Sequence, residues 1–354
     1  MTSGGADPIP SYATAGVDIA AADRAIELIR DAVARTARPE VVGGLGGFAG
    51  LFDARKLAGY RHPLLATSTD GVGTKVMIAR RLGTYHAIGI DLVAMVADDL
   101  AVCGAEPLFL TDYLVFGKVV PERVAAIVSG IAEGCVRAGC ALVGGETAEH
   151  PGHLGPGDFD VAGAATGVVE ADELLGAARV RLGDVVIAMA SSGLHANGFS
   201  LVRDILARTG LALEADAPEL GRTLGEELST PSRIYARDCL ALAESAGVHA
   251  FAHITGGGIA ANVARVLPPE VDAVIARGTW RPPPVFGLLA ARGGVPDKEM
   301  ERVFNLGVGM VAVVAADDAD RALAVLAERD VPAWSAGEIV PGSGTVRLTG
   351  AYAV

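Results

Sequence analysis

The chain has 354 residues, a formal charge of -13 and 51% hydrophobic residues, with 46 glycines but only 5% aromatics. That length suits two units, each burying its own core of Ala, Val, Leu and Ile. The acidic balance opposes non-specific binding to nucleic acid or to anionic membranes, though an acidic protein can still hold a local anion site.

In chain order, residues 1–16 are rich in Ser, Gly, Ala and Pro and read as a flexible arm. Asp18 is placed to cap a helix carrying Ile19, Ile26, Ile29 and Val33 at helical spacing. The stretch Gly43, Gly44, Gly46, Gly47 formally fits a dinucleotide fingerprint, but no clear strand precedes it and no long helix follows. It is either an ordinary glycine turn or a flap over a nucleotide. Residues 62–69 read as a strand that ends at Asp70, where Gly71, Gly73 and Thr74 turn the chain into Lys75. Residues 85–103 read as an apolar helix stopped by Gly104 and Pro107, with Asp91, Asp98 and Asp99 inside an arc of roughly 100°. Three carboxylates so close on an apolar helix need a cation or donors, unless they form a solvated acidic face.

A strand over 108–116 carries Asp112 in its middle, where a charge needs a partner, with Lys118 just beyond. A helix over 121–138 and a short strand over 141–143 follow. That strand meets Gly144, Gly145, Glu146 and Thr147, repeating the pattern of strand end, glycines and carboxylate. A strand over 160–169 closes the first unit. The spacing of His150 and His153, without a third ligand nearby, reads as surface loop rather than metal site.

The second half begins near Glu170. A strand over 184–190 leads through Ser191, Ser192, His195 and Asn197 into a helix, a turn that suits either an anion or a simple helix cap. Thr255, Gly256, Gly257 and Gly258 repeat the arrangement before a helix over 259–266. Thr230 to Tyr235 is expected to open the preceding helix, with Arg233 as an anion contact. The apolar run at 306–316 is too short to span a bilayer and reads as a buried strand. No basic stretch followed by an apolar one marks the start. The four cysteines lack C-x-x-C spacing or a histidine at zinc spacing, so free thiols in a reducing cytoplasm are expected.

Several strings carry a resemblance. Asp99-x4-Gly104-Ala105-x-Pro107 is similar to the D-x4-G-A-x-P signature of an ATP-binding superfamily. That superfamily includes aminoimidazole ribonucleotide synthetase, formylglycinamide ribonucleotide amidotransferase, thiamine monophosphate kinase, selenophosphate synthetase and a hydrogenase maturation factor. The strings at 70–75, 89–95, 191–200 and 253–259 resemble the first of these, the phosphoribosylformylglycinamidine cyclo-ligase family, and the likeness covers roughly 11–340. It implies an α+β fold of two domains, at 17–170 and 171–354. The N-terminal sheets of a homodimer would form a joint β-barrel, and the C-terminal domain would be an α/β sandwich-like unit. It implies ATP and Mg2+, with Asp70, Asp99 and Glu146 on the metal. Lys75, Asp91, Asp112 and the glycines at 43–47 and 71–73 would serve the nucleotide. Thr147, Ser191, Ser192, Asn197 and Thr255 to Gly258 would serve a ribonucleotide, and His195 would bind phosphate or move a proton. The family reads N-D where this chain has Asp98-Asp99. The implied reaction is ATP-dependent imidazole ring closure in purine biosynthesis. A kinase resembling thiamine monophosphate kinase and a non-catalytic nucleotide-binding regulator are the alternatives.

Overall fold

A computed structural model describes residues 18–44 and 46–353. The arm expected over 1–16 lies outside the described residues. Helix α1 (Ile19–Ala34) is capped by Asp18, whose carboxylate accepts the Ala21 N–H at 3.1 Å. Its apolar spacing is helical: Ala25 lies in the core and Ile29 and Val33 pack against it, whereas Ile19 and Ile26 are exposed. Strands β1 (Val41–Val42) and β2 (Leu51–Phe52) pair around the glycine stretch. Then come β3 (Pro63–Gly71), α2 (Lys75–Leu82), α3 (Tyr85–Ala101), β4 (Glu106–Phe116), α4 (Pro121–Ala138), β5 (Ala141–Glu149) and β6 (Phe159–Glu170).

Four of these strands form a sheet in the order β3-β6-β4-β5, antiparallel except for β4 with β5. Strand β5 continues to Glu149, so Glu146 lies inside a strand and not in a turn after one. Helices α3 and α4 cover one face. Glycines let them approach closely: a Cβ on Gly89 would stand 2.1 Å from the Ile127 carbonyl, and one on Gly130 1.9 Å from that of His86. The opposite face leaves Leu65 and Tyr113 exposed.

The second half supplies β7 (Val185–Ala190), α5 (Phe199–Thr209), the hairpin β8 (Asp216–Ala217) and β9 (Arg222–Thr223), α6 (Leu224–Leu228) and α7 (Ala236–Ser245). It continues with β10 (Val248–His253), α8 (Gly258–Ala264), β11 (Val271–Ala276), α9 (Pro284–Gly293) and α10 (Asp297–Val303). Strand β12 (Val308–Val314), α11 (Ala319–Glu328), β13 (Ala333–Pro341) and β14 (Val346–Thr349) complete it. Six strands order as β10-β12-β7-β13-β11-β14, antiparallel except for β11 with β14. Every residue of β12 is buried, as its apolar run implies. Residues 230–235 do not open a helix; α7 starts at Ala236.

The architecture is α+β, with helices packed on two mixed sheets. The second half buries a cluster of its own, including Val186, Ile259, Trp280 and Val311, but another core is shared between the halves. One apolar cluster runs from Leu92 and Val96 on α3 and Ile127 on α4, through Tyr235 and Cys239, to Met189 and Met310 of the six-stranded sheet. Each such large side chain, fully buried, contributes about 1.5–3 kcal/mol. No helix among the described residues is long and apolar enough to cross a membrane.

The α3–α4 contact tests this packing. Gly89→Ala puts a methyl group into the Ile127 carbonyl. It is expected to cost on the order of 2–3 kcal/mol, read as a lower urea midpoint at unchanged m-value.

Candidate functional site

The sequence-predicted residues fall into three places. The first is a cleft where the two halves meet. Asp70, near the end of β3, turns its Oδ1 onto the Gly71 N–H at 2.7 Å. The following turn touches the second half, with Thr74 Oγ1 3.1 Å from Ser200 Oγ. Asp99, at the end of α3, keeps a side chain that is 42% exposed and meets His253 Nδ1 at 2.9 Å. Burial alone would lower the His253 pKa. The Asp99 hydrogen bond and the charges of Asp98, Asp99 and Asp70 outweigh it and hold the pKa above its usual value. Thr67, Ser68, Asp99, His253 and Arg265 line this cleft, a cavity of about 290 Å³.

Two loops border it. Asn197 stands beside Gly256, whose Cβ would lie 3.6 Å from the amide oxygen. The amide of Asn262 gathers the glycine loop by donating to the carbonyls of Gly256 at 3.2 Å and Gly258 at 2.9 Å. Gly258 has φ 69°, and a Cβ there would stand 1.8 Å from the Glu301 carbonyl, so the position requires glycine. The Ser191 hydroxyl donates to the Gly193 carbonyl at 2.9 Å and that of Ser192 to the Pro231 carbonyl at 2.7 Å. Both hydroxyl protons therefore serve the loops themselves.

The second place is buried. Lys75, expected to face phosphates, is 1% exposed. Its Nζ lies 2.9 Å and 2.7 Å from the two Asp91 oxygens and donates to the Thr230 carbonyl at 2.8 Å. Burial pushes Lys75 down and Asp91 up, and each opposes this in the other. Asp98 is also buried and accepts the Tyr235 N–H at 2.8 Å. Burial lifts its pKa to about 7 against the pull of His253 and the Tyr235 and Ala236 amides. The three carboxylates of α3 thus go separate ways, and Asp99 alone reaches the cleft. His195 is buried with φ 62°, and its Nε2 accepts the Ser192 N–H at 3.1 Å. Burial first, then the nearby cations His253, Lys75 and Arg233, hold its pKa well below the usual value. It is a neutral prop for the loop in this geometry.

The third place is a groove between α1 and the β5 edge. Gly43 and Gly44 line one cavity of about 310 Å³. Gly46, Gly47, Asp112, Glu146 and Thr147 line an adjoining one of about 370 Å³. Asp70, Gly163, Asp112 and Gly145 stand in one cross-strand row. Glu146 is one step along, paired with exposed Tyr113, and so points to the opposite face from Asp70. Three strand spacings, about 14 Å, also separate them. Within one chain, therefore, Asp70, Asp99 and Glu146 do not meet. Among the described residues no group of three or more His, Cys, Asp or Glu side chains has a metal-holding arrangement. Lys118 makes no ion pair with Asp112 among the described residues. His253 escaped the sequence reading because its carboxylate partner is 154 residues away. The signal that could have found it is a histidine closing an apolar strand just before Thr255 and three glycines.

Residues 57–169 match the family described as AIR synthase related protein, N-terminal domain, and residues 181–349 match its C-terminal domain. The chain belongs to the AIR synthase related family. Within that family, a phosphoribosylformylglycinamidine cyclo-ligase from Anaeromyxobacter sp. (strain Fw109-5) is 51% identical over 337 residues, 94% of this chain and 97% of that one. The fold recurs in the thiamine-monophosphate kinase of Stenotrophomonas maltophilia K279a, at 22% identity and TM-score 0.66 over 92% of this chain and 96% of that one. It recurs also in the hydrogenase maturation protein HypE in complex with ATP, at 18% identity and TM-score 0.58 over 91% and 90%.

Asp112 provides a test of the groove. Burial lifts its pKa from 3.8 to about 7. The folded chain then holds a proton that the unfolded chain has lost, so this group's contribution falls as pH rises from about 4 to about 7. Asp112→Asn is expected to match the native chain at pH 4 and to exceed it at pH 8 by about 1–3 kcal/mol, read by chemical unfolding at each pH.

Proposed function

We propose that the chain catalyses ATP-dependent closure of an imidazole ring, converting formylglycinamidine ribonucleotide to 5-aminoimidazole ribonucleotide with release of ADP and phosphate. The observation that carries this is the 51% identity over 94% of the chain to a named cyclo-ligase. The cleft between the halves supports it locally. It combines the Asp99 carboxylate with the hydroxyls of Thr67 and Ser68, hard oxygen donors suited to magnesium, and the glycine loop 256–258 borders it. The chain divides into domains at 17–170 and 171–354, and it works in the cytoplasm.

In this reading the formamide oxygen, a poor leaving group, takes the γ-phosphoryl of ATP and becomes an iminophosphate, and ADP departs. The ribose-bearing nitrogen then attacks the formyl carbon, phosphate leaves, and the new ring sheds a proton. Asp70 and Asp99 would hold magnesium, which when bound neutralises charge developing on the transferred phosphoryl group. The turn from Gly71 to Thr74 orients the phosphates, and the loops at 191–198 and 255–258 seat the ribonucleotide. His253, fixed by Asp99, holds a proton on the cleft wall. The glycine flap and Asp112 would cover the rest of the nucleotide.

A second copy completes this picture. The flap groove lies at the β5 edge and the carboxylate cleft at the β3 edge of one sheet. A joint barrel that set β5 of one copy beside β3 of the other would unite them, and Glu146 faces the open side such a barrel would enclose. Tyr113→Asp on that face is expected to give a monomer by sedimentation equilibrium, weakening association by at least about 100-fold, with loss of turnover.

The deciding assay is coupled ADP release with formylglycinamidine ribonucleotide, run beside thiamine monophosphate. Turnover of the first and not the second is expected; the reverse would move the chain to kinase chemistry. ATP binding without phosphate release from either would make it a regulator. Asp99→Ala should lower kcat by roughly 1000-fold while circular dichroism stays native.

A further inference from the structure

The segment Thr230–Tyr235 belongs to no helix or strand and carries hydrogen bonds on two sides. On one side lies α3. The Ser232 N–H and hydroxyl both donate to Asp91 Oδ1, each at 2.7 Å, and the Tyr235 N–H donates to Asp98 Oδ1 at 2.8 Å. Asp91 and Asp98 are two helical turns apart, about 10.5 Å, so the segment from Ser232 to Tyr235 is tied to α3 at two points along the helix. On the other side lies the Ser191–Gly198 loop. The Ser192 hydroxyl donates to the Pro231 carbonyl at 2.7 Å, and the Tyr235 hydroxyl donates to the Ala190 carbonyl, also at 2.7 Å. Lys75 closes the arrangement, since its Nζ holds both Asp91 and the Thr230 carbonyl. Lys75 is also the first residue of α2, directly after the turn that carries Asp70.

We propose that Lys75 and Asp91 are positioning residues: through Thr230 and Ser232 they fix the 191–198 loop of one half against the Asp70–Thr74 turn and Asp99 of the other. Neither side chain reaches the cleft, because both are buried and paired with each other. The buried pair is held by geometry that two apolar residues of similar size would not reproduce. Apolar replacement of both partners is commonly tolerated by a fold, whereas loss of one partner strands a buried charge. Stability and positioning can therefore be separated. The kinetic part of the proposal rests on the ring-closure reading; the mechanical part does not.

The test uses the full-length chain. Lys75→Met combined with Asp91→Leu is expected to recover most of the thermal midpoint lost by Asp91→Leu alone. Its kcat for ring closure should stay about 10- to 100-fold low, with the KM for ATP changed less than about 3-fold. In the same variant, amide hydrogen exchange should accelerate together in 230–235, in 191–198 and in 70–74. Ser232→Ala, which removes one hydroxyl and leaves the charges paired, should lower kcat about 3- to 10-fold at a native thermal midpoint. Recovery of kcat along with stability in the double variant would overturn the proposal. So would faster exchange confined to 230–235, or a Ser232→Ala chain with native kcat. If the native chain closed no ring, the functional reading would fail on its own, and hydrogen exchange would still decide whether the segment couples the two halves.

Discussion

The structure depends on an apolar helix that buries carboxylates. Asp91 and Asp98 on α3 are fully enclosed, and a buried carboxylate is tolerable only with donors in place. Those donors come from residues 230–236 and from Lys75, not from the sheet on which α3 lies. The second half must therefore dock on α3 for the first half to be satisfied. The apolar cluster that runs from α3 and α4 through α7 into the six-stranded sheet is the hydrophobic counterpart of that requirement.

Docking in this register also sets the site. Asp99 is one residue beyond Asp98, so the bond from Asp98 to Tyr235 brings Asp99 to the surface where β10 ends in His253. The glycines have a similar logic. Gly89 and Gly130 let α4 pack closely on the side of α3 opposite to Asp91 and Asp98, and Gly258 lets α8 start directly against the Glu301 carbonyl. Each of these glycines serves a close backbone approach, which a composition rich in glycine announces only in general terms.

How much could be read in the sequence follows from the range of the forces involved. Helices α1, α3 and α4 and the long strands were legible because capping and periodicity are local: Asp18 caps α1 as expected, and Pro121 opens α4. Asp70 and Asp99 were singled out by their places at the ends of elements, and both lie at the cleft. The destinations of Lys75, Asp91 and His195 were not legible, because spacing shows that a charge needs a partner and not which partner it meets. Lys75 finds Thr230 155 residues away. Glu146 was misplaced for a local reason. The two glycines before it suggested a turn, but Gly145 lies flat in β5, where its missing Cβ makes room for the Asp112 carboxylate. The second half does bury a cluster of its own, but a further core is shared across the halves, because length bounds the amount of apolar surface and says nothing of how it is shared.

The engagement of Lys75 has a consequence for how the cleft could manage a triphosphate. With that ammonium spent on Asp91, Arg265 is the one permanently charged cation among the described residues lining the cleft. His253 adds charge only while protonated, a state that Asp98, Asp99 and Asp70 favour. A chain of formal charge -13 with so few cations at its proposed reaction centre would leave most of the neutralisation to a divalent ion, which under the proposed function Asp70 and Asp99 would hold. In that proposed site, Asp70 and Asp99 would repel bare phosphates and favour the metal complex of the nucleotide over the free anion. Exposed carboxylates at Asp70 and Asp99, costly beside a polyanion, are thereby consistent with the same chemistry that the buried ones hold in register.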